Sequence, residues 1–547
     1  MKASDLFVKA LENENVEVIF GIPGEENLDL IQSLSESKIK FVLCRHEQAA
    51  AFMAATFGRL KEKAGVCLST LGPGATNLVT GAAFAQLGGF SMLMITGQKP
   101  VKSSKQANFQ ILDVVEMLQP LTKNTISLIS GNAIPFEIRR AFRIAERERR
   151  GVAHIELPED IAQEKVEKDA LLHRREQYAE HVPIEKIKVL SKKMQEAKSP
   201  VLVIGSEANR NTCCEEIAKL IEQFEIPFIT TQMGKGVVNE NNAHYAGNAT
   251  VSSGSLVHKI LKKADLILNI GYNDVEKPPF LSSEIHAKVF HLSYTPAKIN
   301  ELYYPDMEIL GDITYSVKML RENLKKQEWN YSEISNIREK HISNILEKLK
   351  DNSFPVVPQR LVGTVQRSTP KDAIISLDNG MYKLWFARYF RSHHGKNLLL
   401  DNALATMGAG LPNAIAAKYL FPEKKVIAIC GDGGFLMNAQ ELETAARLKL
   451  DLVIVVVVDS ELGMIRWKQK HDGYNDYAMD FSNPNFKKLV EAYGGFGYDI
   501  ESADEFEETL RECVSKEGIH LLSVPIDYTG NHAFEAMIEN NLHEPVN

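Results

Sequence analysis

The sequence has no surplus of basic residues, no apolar run of membrane-spanning length and no cysteines at ligand-type spacing. Asp and Glu number 71 against 63 Lys and Arg, a formal net charge of -8. Phosphate backbones are bound by clustered Lys and Arg, so nucleic acid is not expected as a partner. The start, Met1-Lys2-Ala3-Ser4-Asp5, leads into an amphipathic stretch with Glu12, Glu14 and Glu17, which predicts neither a signal peptide nor a transmembrane span and places the chain in the cytoplasm. Six cysteines (Cys44, Cys67, Cys213, Cys214, Cys430, Cys513) are scattered, so structural disulfides and zinc are not expected. No Gly-x-Gly-x-x-Gly follows any strand-like run, which speaks against a nicotinamide-dependent dehydrogenase.

What is present is an α/β rhythm. With 547 residues and roughly 100–200 per domain, about three domains are expected. Short apolar runs such as Phe41–Cys44 and Met92–Ile95 alternate with helical stretches and define a first unit, 1–170. A charge-rich segment from Glu167 to Lys198, containing His173-Arg174-Arg175-Glu176, interrupts it. A second unit, 185–340, holds strands at Val201–Ile204 and Leu266–Ile270. Pro355 and Pro358 punctuate the approach to a third, 355–547. There Val426–Cys430 and Leu452–Val458 are unbroken branched runs suited to parallel strands buried on both faces. Doubly wound parallel sheets are therefore expected, with ligands at the carboxyl ends of the strands.

Gly431-Asp432-Gly433-Gly434 directly follows one of these strands, and a helix is expected from Asn438 to Lys449, a place where backbone amides can receive phosphate. Alone this is ordinary turn chemistry. The next strand, however, ends at Asp459, 27 residues after Asp432, so two carboxylates emerge at the same sheet edge. Magnesium takes six oxygens in near-octahedral geometry, commonly several from phosphate and water. Asp432, Asp459 and the main-chain carbonyl of Glu461 would supply three.

This spacing resembles the thiamine-diphosphate motif, Gly-Asp-Gly followed by a paired Asn-Asn, although Val458-Asp459 stands where the asparagines are usual. Asp keeps the oxygen ligand, and the catabolic acetolactate synthases show an aspartate there. The resemblance extends over nearly the whole chain. It implies pyrimidine-binding, central and diphosphate-binding domains, and an enzyme binding thiamine diphosphate and Mg2+. Glu47, in Arg45-His46-Glu47-Gln48, matches the glutamate that activates the cofactor through its aminopyrimidine ring, a role suited to a desolvated carboxyl. Gly72-Pro73-Gly74-Ala75-Thr76-Asn77 is similar to the loop that follows it, whose glycines permit close approach. In Leu404–Pro412, Met407 matches the apolar wedge between the cofactor rings, with the Ala405 carbonyl and the Met407 amide facing the pyrimidine. Gly380, Met381 and Tyr382 resemble the other side of the diphosphate site, to which Leu462, Gly463 and Met464 are also assigned.

Within the family, the resemblance is to acetolactate synthases, which decarboxylate pyruvate and join the two-carbon unit to a second pyruvate. Phe109-Gln110 and Leu121-Thr122-Lys123 are similar to the positions near the substrate carboxylate, making Gln110 and Lys123 catalytic candidates; Lys123 is otherwise a solvated charge at a strand edge. Gly271-Tyr272-Asn273-Asp274-Val275-Glu276-Lys277-Pro278 stands where biosynthetic members carry their flavin pattern, so no FAD is expected. Lys468 stands where those members place an acceptor-selecting tryptophan, with Trp467 one position away, and Glu25-Glu26 adds charge near the presumed pocket. A decarboxylase, or a carboligase with another donor and acceptor, is the alternative. The family pairs the pyrimidine domain of one subunit with the diphosphate domain of another, implying a homodimer or a dimer of dimers.

Overall fold

The structure is a computed structural model that describes residues 1–102, 107–167, 170–174 and 179–529. Arg175 and Glu176 of the charge-rich segment lie outside the described residues. The chain forms three six-stranded sheets. In spatial order, the first contains Lys40–Leu43, Val18–Gly21, Gly65–Ser69, Met92–Gln98, Val152–Pro158 and Asn124–Ser127. The second contains Met307–Leu310, Lys288–Ser293, Leu266–Ile270, Pro200–Ile204, Phe228–Thr230 and Tyr245–Asn248. The third contains Leu398–Leu399, Ile374–Leu377, Val426–Gly431, Leu452–Val458, Ile519–Pro525 and Phe496–Asp499. The described pairings are parallel, so within a sheet every strand delivers its carboxyl end to the same edge.

Branched and small apolar residues explain the central strands: Met92–Gln98 and Pro200–Ile204 are buried along their whole length, and burying one large aliphatic side chain stabilises by about 1.5–3 kcal/mol. Helix Glu47–Lys61 is buried over most of its circumference, from Ala49 through Gly58. Helix Gly410–Leu420 packs on it, small residues allowing close approach, and the buried Thr56 hydroxyl donates to Asn413 Oδ1 at 2.8 Å.

These packings group the chain into two compact units. The first comprises Met1–Tyr178, Ala403–Pro422 and Asn438–Leu450; the second comprises Ala179–Asn402, Glu423–Met437 and Asp451–Asn547. Thus the second and third sheets share a unit, and two helical segments expected in a third domain belong with the first sheet. Sequence adjacency cannot reveal that regrouping, because it follows from which apolar face covers which. The segment after Val426–Gly431 also differs from expectation: the strand runs straight into helix Asp432–Met437, and a second helix covers Glu441–Arg447. The break falls at Asn438, whose side-chain amide is drawn into bonds with the Gly408 carbonyl at 2.8 Å and Gln48 Oε1 at 3.0 Å.

Among the described residues no helix is long and apolar enough to cross a membrane.

Candidate active site

In the second unit, the third sheet changes winding direction between Ile374–Leu377 and Val426–Gly431, the place where open α/β sheets bind ligands beyond their carboxyl ends. Asn379-Gly380-Met381 leaves one strand there and Gly431-Asp432-Gly433-Gly434 the other. The Gly431 amide donates to the buried Tyr382 hydroxyl at 2.8 Å, tying the two loops together. Tyr382 therefore fixes the two loops against each other at the carboxyl edge of the sheet.

Gly431 is in register with Val457 on the neighbouring strand, so Asp432 and Asp459 leave adjacent strand ends together. Asp432 is 1% exposed. Its Oδ1 accepts from the Gly433 amide at 2.8 Å, and its Oδ2 from the Ser460 amide at 2.7 Å and from Asn483 Nδ2 at 2.8 Å. Burial, then the charge and hydrogen bond of Asp432, push the Asp459 carboxyl up to about 7. Ser460 adopts φ 57, a left-handed conformation uncommon outside glycine and concentrated at functional sites. Its strained turn leads into Glu461, whose amide approaches Asp459 Oδ1 at 3.4 Å. Gly463 begins helix Gly463–His471 against the Asp459 carboxylate, with Oδ2 2.8 Å from where a Cβ would stand; Leu462 and Met464 flank it.

Two crowded carboxylates and an adjacent main-chain carbonyl fit a hard cation that draws the rest of its shell from phosphate and water. Among the described residues no group of three or more His, Cys, Asp or Glu side chains could hold a metal unaided. Asn483 was not marked by the sequence, where an Asn before Pro reads only as a turn.

In the first unit, Glu47 opens its helix and is 7% exposed. The fully buried Glu441 accepts from the amides of Arg45 and His46, each at 3.0 Å, and fixes the entry to that helix. Burial is the main influence raising the Glu441 carboxyl. Asn77 Nδ2 donates to Glu47 Oε2 at 3.0 Å. The loop carrying Asn77 can lie this close because Gly74 has no Cβ, which would stand 3.2 Å from Glu47 Oε1. Gly72, at φ 25, lies against the Gln110 carbonyl, 2.7 Å from the position of a Cβ. Gln110 itself is exposed at φ 59. Glu47, the Gly72–Asn77 loop and Gln110 are thus brought into contact in sequence order. Ala405 at φ 56 and Gly408 at φ 87 form the turn carrying the half-buried Met407. Asn438 fastens that turn, through Gly408, to Gln48 beside Glu47.

Lys123 is placed differently. Its ammonium donates to the carbonyls of Arg147 and Arg149 at 2.6 and 2.7 Å, and burial lowers it to about 8. Glu25 is exposed, but Glu26 is buried with Lys99 Nζ at 2.5 Å and the Thr70 hydroxyl at 2.6 Å. Against the raising effect of burial, these bonds hold the Glu26 carboxyl below its ordinary value. The charge expected there is therefore neutralised internally. Lys468 is half exposed and pairs with Asp472 at 2.9 Å, while Trp467 stacks on His471.

Three family models match: thiamine pyrophosphate enzyme N-terminal TPP binding domain over residues 1–117, central domain over 187–320, and C-terminal TPP binding domain over 378–524. The chain is 34% identical to a probable acetolactate synthase large subunit of Methanococcus aeolicus, the match covering 96% of this chain and 92% of the relative. It is 31% identical to a catabolic acetolactate synthase of Raoultella terrigena (96% and 95% covered) and 30% identical to an acetolactate synthase of Bacillus subtilis (97% and 94% covered).

Proposed function

The chain belongs to the acetolactate synthase family of thiamine pyrophosphate enzymes, and from that premise we propose that it condenses two pyruvates to 2-acetolactate with release of carbon dioxide. The observation that carries this reading is the buried Glu47 carboxylate, held by Asn77 and lined by the loop on which Gln110 rests.

When bound, thiamine diphosphate supplies the electron sink a 2-oxo acid needs to lose its carboxyl group. The chain's own residues bind and position it. Asp432, Asp459 and the Glu461 carbonyl would hold Mg2+, and the turn of Gly431, Gly433 and Gly434 would face the diphosphate with Gly380 and Met381 opposite. Leu462, Gly463 and Met464 complete that wall. Glu47 would hold the proton shared with the aminopyrimidine ring nitrogen. Met407 would stand between the two rings, and the Ala405 carbonyl would be the acceptor for the exocyclic amine. Gln110 faces the substrate carboxylate. Lys123 is proposed for the same carboxylate, a role that requires its ammonium to leave the Arg147 and Arg149 carbonyls.

The central domain is proposed to work without FAD. At its switch point, Gly205 and Gly271 abut backbone to backbone, with the Gly271 carbonyl 2.5 Å from a Gly205 Cβ position. The crevice also holds the buried Glu207 carboxylate, which accepts from Asn273 at 2.7 Å and Ser293 at 2.5 Å. A buried carboxyl group at this point presents acceptors where a dinucleotide's pyrophosphate needs donors. The assembly is proposed as a homodimer or dimer of dimers with active sites between subunits. A cytoplasmic setting accords with six free cysteines.

Product identification tests the reading. With pyruvate, thiamine diphosphate and Mg2+, 2-acetolactate and carbon dioxide are expected in equal amounts, and acetaldehyde as sole product would refute carboligation. With equal 2-ketobutyrate present, pyruvate should remain a competitive acceptor, because one methylene contributes about 1–3 kcal/mol of discrimination even in a well-formed apolar pocket and Lys468 stands where a tryptophan would form one. Dominant acetohydroxybutyrate would overturn that argument.

A further inference from the structure

The Asn483 side chain has a position that neither the metal ligands nor the fold accounts for. It lies 51 residues beyond Asp432, and its Nδ2 donates to Asp432 Oδ2 at 2.8 Å and to Ser460 Oγ at 3.1 Å. Its Oδ1 is buried and has no hydrogen-bond partner. Buried amide oxygens are rarely left unpaired, and such an exception calls for an explanation. Here the amide is turned so that its nitrogen serves the Asp432 carboxylate, leaving its oxygen as a buried acceptor with no partner.

The backbone delivers Asn483 to that point. The chain from Met479 to Phe481 runs antiparallel to Ser460–Leu462: the Leu462 amide donates to the Met479 carbonyl at 3.0 Å, the Phe481 amide to the Ser460 carbonyl at 3.1 Å, and Glu461 bridges Asp480. Arg466 braces the same pair of segments, contacting Glu461 and bonding Asp476 at 3.1 Å and Asp480 at 2.6 Å. Asn483 stands two residues past Phe481, where this strap meets the carboxylates. The Ser460 turn, strained at φ 57, is thereby held from both sides, by its amide on Asp432 and by its hydroxyl under Asn483.

We propose that Asn483 is a positioning residue for the cation site: its amide orients Asp432 and the Ser460 turn so that Asp432, Asp459 and the Glu461 carbonyl converge, and it couples the strap at residues 476–483 to cation binding. The proposal rests on the assignment of Mg2+ to these carboxylates. A partner that orients a metal-binding carboxylate typically contributes 10- to 100-fold to metal affinity.

The test measures Mg2+-dependent retention of thiamine diphosphate by calorimetry on the full chain, with hydrogen exchange of residues 476–483 read in parallel. Asn483→Ala should weaken Mg2+ binding about 10- to 100-fold and abolish the Mg2+-induced protection of the strap, while the melting temperature of the metal-free protein stays unchanged. Asn483→Asp has the same shape but no donor, and should be as weak as the alanine variant. Unchanged Mg2+ affinity in Asn483→Ala would overturn the proposal. So would an equal fall in the melting temperature of the metal-free form, which marks a purely structural role. Native or tighter affinity in Asn483→Asp would also overturn it, making residue 483 a ligand or a spacer. Asp432→Ala separates the two levels: if it retains Mg2+-dependent cofactor binding, the site assignment itself fails, whereas its loss beside an unaffected Asn483→Ala condemns the positioning role alone.

Discussion

Because Asp459 stands where the family motif usually has asparagine, cation binding should be linked to a proton. Burial and the neighbouring Asp432 push the Asp459 carboxyl up to about 7, and a carboxyl must be ionised to ligate Mg2+. Below that pH the metal-free protein carries the proton, so affinity is full above it and falls as the pH drops. With a midpoint near 7, about nine-tenths of the molecules are protonated at pH 6 and about one-tenth at pH 8, which predicts roughly tenfold weaker Mg2+ binding at pH 6 and the release of about 0.9 proton per cation. Titration calorimetry in two buffers of different ionisation enthalpy reads that proton directly. The cofactor's terminal phosphate also titrates near pH 6, so the informative quantity is the difference from Asp459→Asn, which keeps the oxygen ligand and removes the ionisable group. Asp459→Asn should release about 0.9 fewer protons at pH 6 and lose the excess pH dependence. Identical proton release by the two proteins would refute the link between the carboxylate pair and the cation.

Glu47→Gln should slow exchange of the cofactor's thiazolium proton by about 100-fold or more, the scale of a positioned proton-transfer group; native-rate exchange by quenched-flow NMR would remove Glu47 from that role. The closed crevice around Gly205, Gly271 and Glu207 predicts protein without bound flavin, and a stoichiometric flavin absorption band after purification would contradict it.

The strands were legible because their signal is local. Leu452–Val458 is an unbroken run of Leu, Ile and Val, and the strand forms over those residues. The carboxylates were legible for a related reason: a Gly-Asp-Gly after one strand and an aspartate after the next necessarily meet at one edge of a parallel sheet. Glu47 lay close to a loop whose glycines already suggested close approach. The helix expected at 438–449 forms over Glu441–Arg447, and the separate turn of helix Asp432–Met437 before it was not foreseen, because Asn438 between them is held by tertiary bonds that no propensity records. Lys123 shows the opposite limit. Its backbone position at the start of a strand was foreseeable, but a four-carbon side chain can reach several acceptors, and only packing selected the Arg147 and Arg149 carbonyls.

By itself the sequence determined the fold class, through local periodicity, and its resemblance to the thiamine-diphosphate enzymes supplied the cofactor and the candidate reactive and ligating residues. Tertiary structure decided what surrounds each group. It brought Glu441 to the amides before Glu47 across some 395 residues, paired Glu26 with Lys99 so that an apparent surface charge became an internal ion pair, and set Asn483 on Asp432. These are short-range electrostatic contacts between segments remote in sequence. Their partners are chosen by which faces the apolar cores bury, and that choice is made only when the whole chain has packed.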